Sequence, residues 1–544
     1  MELFLAFIVA LSTTAALIPV LSRWAPAVGL TDKPGPRKVH AVAVPRVGGL
    51  AMAVGILVPV LVTVPLTAPT RGVLLGILIL LCFGVWDDRV ELGYRTKLLG
   101  QILAVGVCMV VGGVHIGRVM IDGRILAPGL ISGIITFLFL IGVTNAVNLT
   151  DGLDGLAGGL VLLCLCAVAL FAVASGNSSV IALCLIEAGA VLGFLRFNTH
   201  PARIFMGDSG SQVLGFSVGA LSLLATQGAS SDLSAALPIL LLGLPILDTF
   251  MVMSTRIIAG KSPFSADKNH LHHRLLAIGF LHREAVAIVY LLQAGLVLLA
   301  YFMRFEDDLT VVAVFCGFAA TVVGLLLLAR ATGWHLRNLD SHGRTRAPLV
   351  FVPSAARLPA IALGVMLACL IAYAATVLLA APHVGKDLGV LSLGMLAVLL
   401  LLSVSKVPES LHWFERTATY VSVVLLVYLD QTALDHTQAL AAVSWTLIGI
   451  TGAAALARFW LSPTRRFEVT TLDLIVVFVA LVLPNLPGSL QLPPDLPQGI
   501  AKSVILLYVV EMLLTFDLKR LMPRLILGVM LVAIAGRAFI GAAA

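Results

Sequence analysis

Long apolar runs separated by short polar loops account for most of this chain. Such runs lie near 3–22, 47–66, 72–86, 98–114, 127–147, 158–175, 180–197, 212–227, 235–255, 285–303 and 309–329. A second series follows near 358–381, 388–405, 418–434, 439–457, 471–486, 501–517 and 525–543. An α-helix needs about 20 apolar residues to cross ~30 Å of hydrocarbon. The pattern therefore predicts an all-α integral membrane protein, a polytopic bundle of about 18 transmembrane helices, with about 11 in the first block and about 7 in the second. The first run follows Glu2 and has no basic segment before it, so it reads as a retained span and not as a cleaved signal peptide.

Composition narrows the class. Of 544 residues, 60% are hydrophobic and only 12% charged, and the mean hydropathy is +1.06. Soluble domains carry about 25% charged residues. These values exclude a soluble globular enzyme, a disordered chain and a nucleic-acid module. The seven cysteines are scattered through apolar runs and read as small buried hydrophobes. Basic residues set the orientation. With the amino terminus outside, the inward loops of the first eleven runs hold fifteen Lys and Arg, against four in the outward loops. That asymmetry is what the positive-inside rule requires.

The polar, basic stretch 331–357 reads as a cytosolic linker between a first block, 1–330, and a second, 358–544. Every concentration of chemically useful side chains lies in the first block, on its inward loops. The first loop reads DKPGPRKVH, with Lys33, Arg37, Lys38 and His40, then VPRVGG, with Arg46. WDDR supplies Asp87 and Asp88, followed by Lys97 and Gln101. NAVNLTDGLDGLAGG supplies Asn145, Asn148, Asp151 and Asp154. FNTHPARIFMGDSGS supplies Asn198, Arg203, Asp208 and Ser209, and DKNHLHHRL supplies His270, His272, His273 and Arg274.

Five carboxylates on one membrane face repel one another unless a cation offsets them. Oxygen ligands select a hard ion, Mg²⁺ or Mn²⁺, and Mg²⁺ takes only one or two protein carboxylates. Asp151 and Asp154, three apart, share a face if a helix begins there, near an amino end that favours phosphate. The three histidines suit a pyrophosphate. Taken singly, each motif has a plainer reading. A DD pair often ends a solvated helix. DGLDG lacks the glutamate that closes a calcium loop. HLHH has no Cys or further His at zinc spacing. The basic loop 23–46 suits lipid headgroups, and Glu187 suits a packed or paired position inside the bundle. It is their convergence on one face that points to a catalytic centre.

In this order, the five motifs resemble the polyprenyl-phosphate N-acetylhexosamine-1-phosphate transferases, in particular the bacterial undecaprenyl-phosphate GlcNAc-1-phosphate branch of glycosyltransferase family 4. The resemblance runs across about residues 30–285. It implies a Mg²⁺-dependent phosphoglycosyl transfer at the cytosolic face of a bacterial inner membrane. A UDP-N-acetylhexosamine would meet a polyprenyl phosphate, giving a polyprenyl-diphosphate sugar and UMP, the first membrane step of a cell-surface polysaccharide such as a cell-wall polymer or O-antigen. By the same resemblance Asp208, with Asp151, holds the metal (Mg²⁺, with Mn²⁺ as the substitute). Asp87 deprotonates or orients the lipid phosphate, with Asp88 beside it. Asn148, Asp151 and Asp154 line the nucleotide and metal region, and His270, His272 and His273 bind the diphosphate. Lys97, Arg46, Arg203 and Arg274 are substrate contacts.

HLHH departs from the triple-histidine run of the pentapeptide transferases, and no peptide-binding feature stands out. Both points favour a simple donor, UDP-GlcNAc first. A transporter or flippase of lipid-linked sugars also fits the many spans. Its sites lie at the midplane, however, whereas these ionisable residues gather at one interface. The block 358–544 lies outside the resemblance and is a candidate accessory bundle, homodimerisation element or docking surface.

Overall fold

A computed structural model of the chain describes residues 2–32, 43–117, 119–121, 124–126, 129–227, 232–262, 269–336, 358–381, 384–404, 408–434, 438–461, 496–515 and 521–540. Lys33, Arg37, Lys38 and His40, the expected span 471–486 and most of the expected linker 331–357 lie outside them. The chain divides into two compact units, one formed mainly by Met1–Thr345, the other mainly by Arg346–Val469 and Leu492–Ala544.

Nearly every described element is an α-helix. In the first unit these are α1 (Glu2–Val28), α2 (Gly48–Thr63), α3 (Ala68–Val90), α4 (Tyr94–Gly112), α5 (Gly129–Thr150), α6 (Leu156–Ala174), α7 (Ser178–Asn198) and α8 (Gly207–Thr226). There follow the short α9 (Leu237–Leu241), α10 (Gly243–Ile258), the short α11 (Leu271–Ile278), α12 (His282–Phe302) and α13 (Asp308–Thr332). Among the described residues, ten helices of the whole chain are long and apolar enough to cross a membrane. Many carry bare apolar faces: Val62, Val110 and Leu130 are each more than 80% exposed. Faces of that kind need lipid around them. The protein is an all-α, multi-pass membrane protein. Two small antiparallel pairings interrupt the helices. Thr31–Asp32 lies against Val44–Pro45, and Val119–Ile121 against Arg124–Leu126. Hydrophobic periodicity cannot signal strands this short, but the first of them places Asp32 and Arg46 side by side.

The packing centre is α8, buried from Ser209 through Leu223. Val213, Phe216, Ala220 and Leu223 of α8 meet Val73, Ile77 and Leu80 of α3, Ala104 and Cys108 of α4, and Leu140 of α5. Backbone meets backbone at its amino end. A Cβ at Gly49 of α2 would strike Gly210, and one at Gly84 of α3 would strike Ser209. Two helices can approach so closely only where side chains are missing. Glu187 of α7, fully buried, accepts a hydrogen bond from Ser217 Oγ of α8 at 2.8 Å, so this mid-span acid is held within the bundle.

In the second unit, the helices Leu358–Ala380, Pro408–Leu434, Gln438–Leu461 and Leu496–Thr515 contribute to one buried polar cluster. Lys502 Nζ lies 2.6 Å from Asp430 Oδ2, which also accepts from Ser444 Oγ at 2.7 Å and Tyr373 OH at 3.1 Å. Both charges are essentially without solvent exposure, at 0% and 1%.

Candidate active site

The loops at one end of the first unit enclose a cavity of about 820 Å³. Acidic side chains dominate its wall: Asp32, Asp87, Asp88, Asp151, Asp154 and Asp208, with Glu91. Arg46, Lys97, Asn148, Asn198, His200 and His273 complete the polar side-chain lining. Residues far apart in the chain are thus gathered in one place. The end of α3, the start of α4, the end of α5, the turn 151–155 and the start of α8 all reach it.

Lys97 is the link between two of these acids. Its Nζ lies 2.6 Å from Asp87 Oδ2 and 2.6 Å from Asp208 Oδ2. The other oxygen of Asp208 accepts Asn148 Nδ2 at 2.7 Å, and Asn148 also donates to Ser211 Oγ at 2.7 Å. Asp87 Oδ1 accepts the backbone N–H of Leu92 at 2.6 Å. Asp88 is oriented differently. It accepts the backbone N–H groups of Asp208 and Ser209, at 2.8 and 3.1 Å, and Ser209 Oγ at 2.7 Å. This carboxylate caps the amino end of α8, where unpaired N–H groups and the helix dipole favour a negative charge. Gly207 sits at φ +73°, and a Cβ there would run into the Asp88 carboxylate. Only glycine permits both that backbone conformation and that approach.

Asp151 and Asp154 do not share a helical face. They lie in the turn between α5 and α6 and have opposite environments. For the Asp151 carboxylate no hydrogen bond or ion pair is found among the described residues. Burial, then the charges of Asp208, Asp88 and Asp154, push its pKa up to about 7. Burial works the same way on Asp154, but hydrogen bonds from His200 Nδ1 at 2.8 Å and Ala202 N–H at 3.0 Å outweigh it and hold that carboxyl below its ordinary value. Asn198 fixes the turn to the neighbouring loop by accepting Gly155 N–H and donating to the Ile204 carbonyl, both at 2.9 Å.

The three histidines expected to act together are neighbours, with ring centroids 4.3–6.5 Å apart, but they have different partners. Only His273 lines the cavity. His270 is turned to α10, where its Nδ1 lies 2.9 Å from Asp248 Oδ2. Asp248 Oδ1 accepts the backbone N–H of Leu271 at 2.6 Å, so one carboxylate fixes the start of α11. His272 is buried directly against Gly152, in a small apolar cavity beside Asp248. Burial, then the charge of His273, pushes its pKa down to about 3, so it is neutral. Two further candidates, Arg203 and Arg274, lie outside the cavity lining. Arg274 Nε donates to the Asn269 carbonyl at 2.9 Å instead. Arg46 does line the cavity, ion-paired to Asp32.

Sequence reasoning overlooked Asp32, Asp248, His200 and His282. Asp248 had a visible signal, being a lone carboxylate in the apolar run 235–255. His200 adjoins a motif on which attention fell on Arg203 and Asp208.

The donor set suits a hard divalent cation. Asp151 and Asp208 offer carboxylate oxygens and Asn148 an amide oxygen in a cavity of net negative charge, and Asp151 lacks a counter-charge of its own. Hard ions bind such all-oxygen sets.

Residues 70–226 match the family model described as glycosyl transferase family 4. A probable undecaprenyl-phosphate N-acetylglucosaminyl 1-phosphate transferase of Bacillus subtilis is 38% identical over 295 residues, covering 54% of this chain and 82% of the relative. A decaprenyl-phosphate N-acetylglucosaminephosphotransferase of Mycolicibacterium smegmatis is 38% identical over 298 residues, covering 48% and 72%. An undecaprenyl-phosphate alpha-N-acetylglucosaminyl 1-phosphate transferase of Salmonella typhi is 29% identical over 300 residues, covering 53% and 81%. With its helical bundle and acid-lined cavity, the protein is a multi-pass membrane transferase. It belongs to glycosyl transferase family 4, the polyprenyl-phosphate N-acetylhexosamine-1-phosphate transferases.

Proposed function

We propose that the protein transfers GlcNAc-1-phosphate from UDP-GlcNAc to undecaprenyl phosphate at the cytosolic face of a bacterial inner membrane. The products are undecaprenyl-diphosphate-GlcNAc and UMP, and the reaction begins the membrane stage of a cell-surface polysaccharide. The observation that carries this reading is Lys97 clamped between Asp87 and Asp208 in an acid-lined cavity. Its volume falls within the ~300–1,000 Å³ usual for small-ligand sites.

An oxygen of the lipid phosphate bonds to the β-phosphorus of the donor. The anhydride bond to the α-phosphate breaks, and UMP leaves with the electron pair. Such transfers depend mainly on positioning and charge stabilisation. Mg²⁺, or Mn²⁺ in its place, held by Asp208 and Asp151, would supply charge neutralisation on the diphosphate. The chain supplies the rest. Lys97 fixes Asp208 and Asp87 relative to each other and places a positive charge where two anions must meet. Asn148 orients Asp208 from its other side. Asp87 faces the acceptor phosphate and orients it. A base is not obligatory, since a phosphate monoester already carries about −1.5 to −2 charge near neutral pH. Arg46 and His273 offer donors to the phosphates at the wall.

The test is UMP release by purified protein in detergent with UDP-GlcNAc, undecaprenyl phosphate and Mg²⁺. Turnover abolished by EDTA and restored by Mg²⁺ is the expected result. No UMP from any UDP-N-acetylhexosamine would overturn the assignment.

A further inference from the structure

One cluster at the edge of the cavity includes two histidines, His200 and His282, that have no role in the transfer described above. Asp154 in the turn between α5 and α6, His200 in the loop before α8, and His282 at the start of α12 converge from three separate parts of the first unit. One oxygen of the Asp154 carboxylate and one nitrogen from each imidazole all lie within 4.8 Å of one another. The two rings are stacked, 4.2 Å between centroids and 25° between planes. His200 Nδ1 lies 2.8 Å from Asp154 Oδ2.

We propose that Asp154, His200 and His282 form a binding site for a divalent transition metal of the zinc class, separate from the all-oxygen site assigned to the hard cation. Ligand chemistry makes the distinction. Two imidazole nitrogens and one carboxylate oxygen are a donor set for Zn²⁺ and its neighbours in the first transition series, whereas Mg²⁺ prefers oxygen alone. The state of His282 is the second observation. Its Nε2 is buried and has no hydrogen-bond partner among the described residues. With its proton on Nδ1 the ring has a free lone pair on Nε2, the tautomer a metal ligand needs. An orphaned buried nitrogen is costly, and coordination removes the cost.

The nearly parallel stack cannot aim both rings at one ion, so the exposed His200 ring must turn out of it before both nitrogens converge with Asp154. Ligands about 2.0–2.2 Å from a tetrahedral metal stand about 3.3 Å apart. The His200–Asp154 pair must open by about 0.5 Å to reach that spacing. His200 is 41% exposed on a loop and free to do so. Three protein ligands leave a fourth position, and because Asp154 and His200 both line the cavity, that position faces it. The bound ion would staple the α5–α6 turn, the α7–α8 loop and α12 together.

The test uses the purified full-length protein in detergent, stripped of metal, with Zn²⁺ alone measured by equilibrium dialysis and Co²⁺ followed by its visible absorption. We expect one equivalent of tightly held Zn²⁺ that millimolar Mg²⁺ does not displace, and a Co²⁺ band that Zn²⁺ removes stoichiometrically. Affinity should fall at least tenfold in His200→Ala and in His282→Gln, and stay unchanged in Asp208→Asn. His200→Ala removes a half-exposed ring and keeps the fold, so loss of metal there is not loss of structure. Absence of tight Zn²⁺, displacement by Mg²⁺, or wild-type affinity in both histidine variants would overturn the proposal. So would a signal that disappears in His270→Ala and persists in His200→Ala.

Discussion

The carboxylate of Asp88 holds Asp208 by its backbone: Oδ1 accepts the Asp208 N–H at 2.8 Å, across 120 positions of sequence. The two acids therefore do different work. Asp208 presents its side chain to Lys97 and Asn148, while Asp88 fixes the helix end from which that side chain projects. In Asp88→Asn one acceptor oxygen remains but the charge on the α8 amino end is lost. Charge-assisted hydrogen bonds of this kind contribute about 1.5–3 kcal/mol. We expect turnover to drop about tenfold to a hundredfold, together with faster amide exchange over 207–211. Unchanged exchange alongside full turnover would refute the capping role.

Lys97→Met leaves Asp87 and Asp208 facing each other with no cation between them. Breaking a partly buried ion pair this way costs about 3–5 kcal/mol. UMP release should fall at least a hundredfold, and Lys97→Arg should recover only part of it, since a guanidinium is a planar fork and not a point charge. Equal activity in Lys97→Met and wild type would remove Lys97 from the mechanism.

With Asp151 pushed up to about pKa 7, the proposed metal binding would be a proton-linked event. A divalent cation binds the ionised carboxylate, so uptake below pH 7 must expel a proton. Apparent Mg²⁺ affinity should rise up to about tenfold per pH unit as pH approaches 7, then level off. For the metal-free protein the sign reverses. A carboxyl with a raised folded-state pKa takes up protons on folding, so its contribution to stability declines as pH rises from about 4 through 7. Titration calorimetry in two buffers of different ionisation enthalpy detects the expelled proton, and Asp151→Asn should abolish it.

Gly84→Ala places a methyl group against the backbone of Ser209, where neither helix has a side chain to yield. Overpacking of this type costs about 1–3 kcal/mol. The melting temperature should fall by several degrees, with a larger loss of turnover than Gly106→Ala, whose added Cβ meets nothing within 4 Å. Equal effects at the two sites would show that α8 tolerates displacement.

Asp248 and His270 form a pair that acts on the site through α11. Asp248→Asn and His270→Ala should each lower turnover about tenfold, and the double variant no further, because both remove one shared constraint. Additive losses in the cycle would mean that the two residues act separately.

The helical character of the chain was legible because apolar runs of about 20 residues have few alternatives. The acids at 87, 88, 151, 154 and 208 were legible because each interrupts a run at the same membrane face. What periodicity could not convey is direction. Whether Asp154 points at its neighbour Asp151 or at His200 depends on a turn closed by Asn198, some 43 positions away. His270, His272 and His273 looked equivalent in HLHH, yet Asp248 claims the first and Gly152 leaves room to bury the second. Arg203 and Arg274 were assigned by resemblance, and a motif does not say which way a side chain leaves its loop.

The buried pair of Lys502 and Asp430 bears on how the second unit is made. The two residues are 72 positions apart, so ribosomal synthesis delivers the carboxylate long before the amine. Neither charge can rest in an apolar interior without the other. The assembling unit must therefore wait, incompletely closed, until the helix Leu496–Thr515 emerges. Shortening the protein before that helix would strand an unpaired acid at the centre of what had already been built, and quality control in the cell would meet a defective core and not a missing appendage.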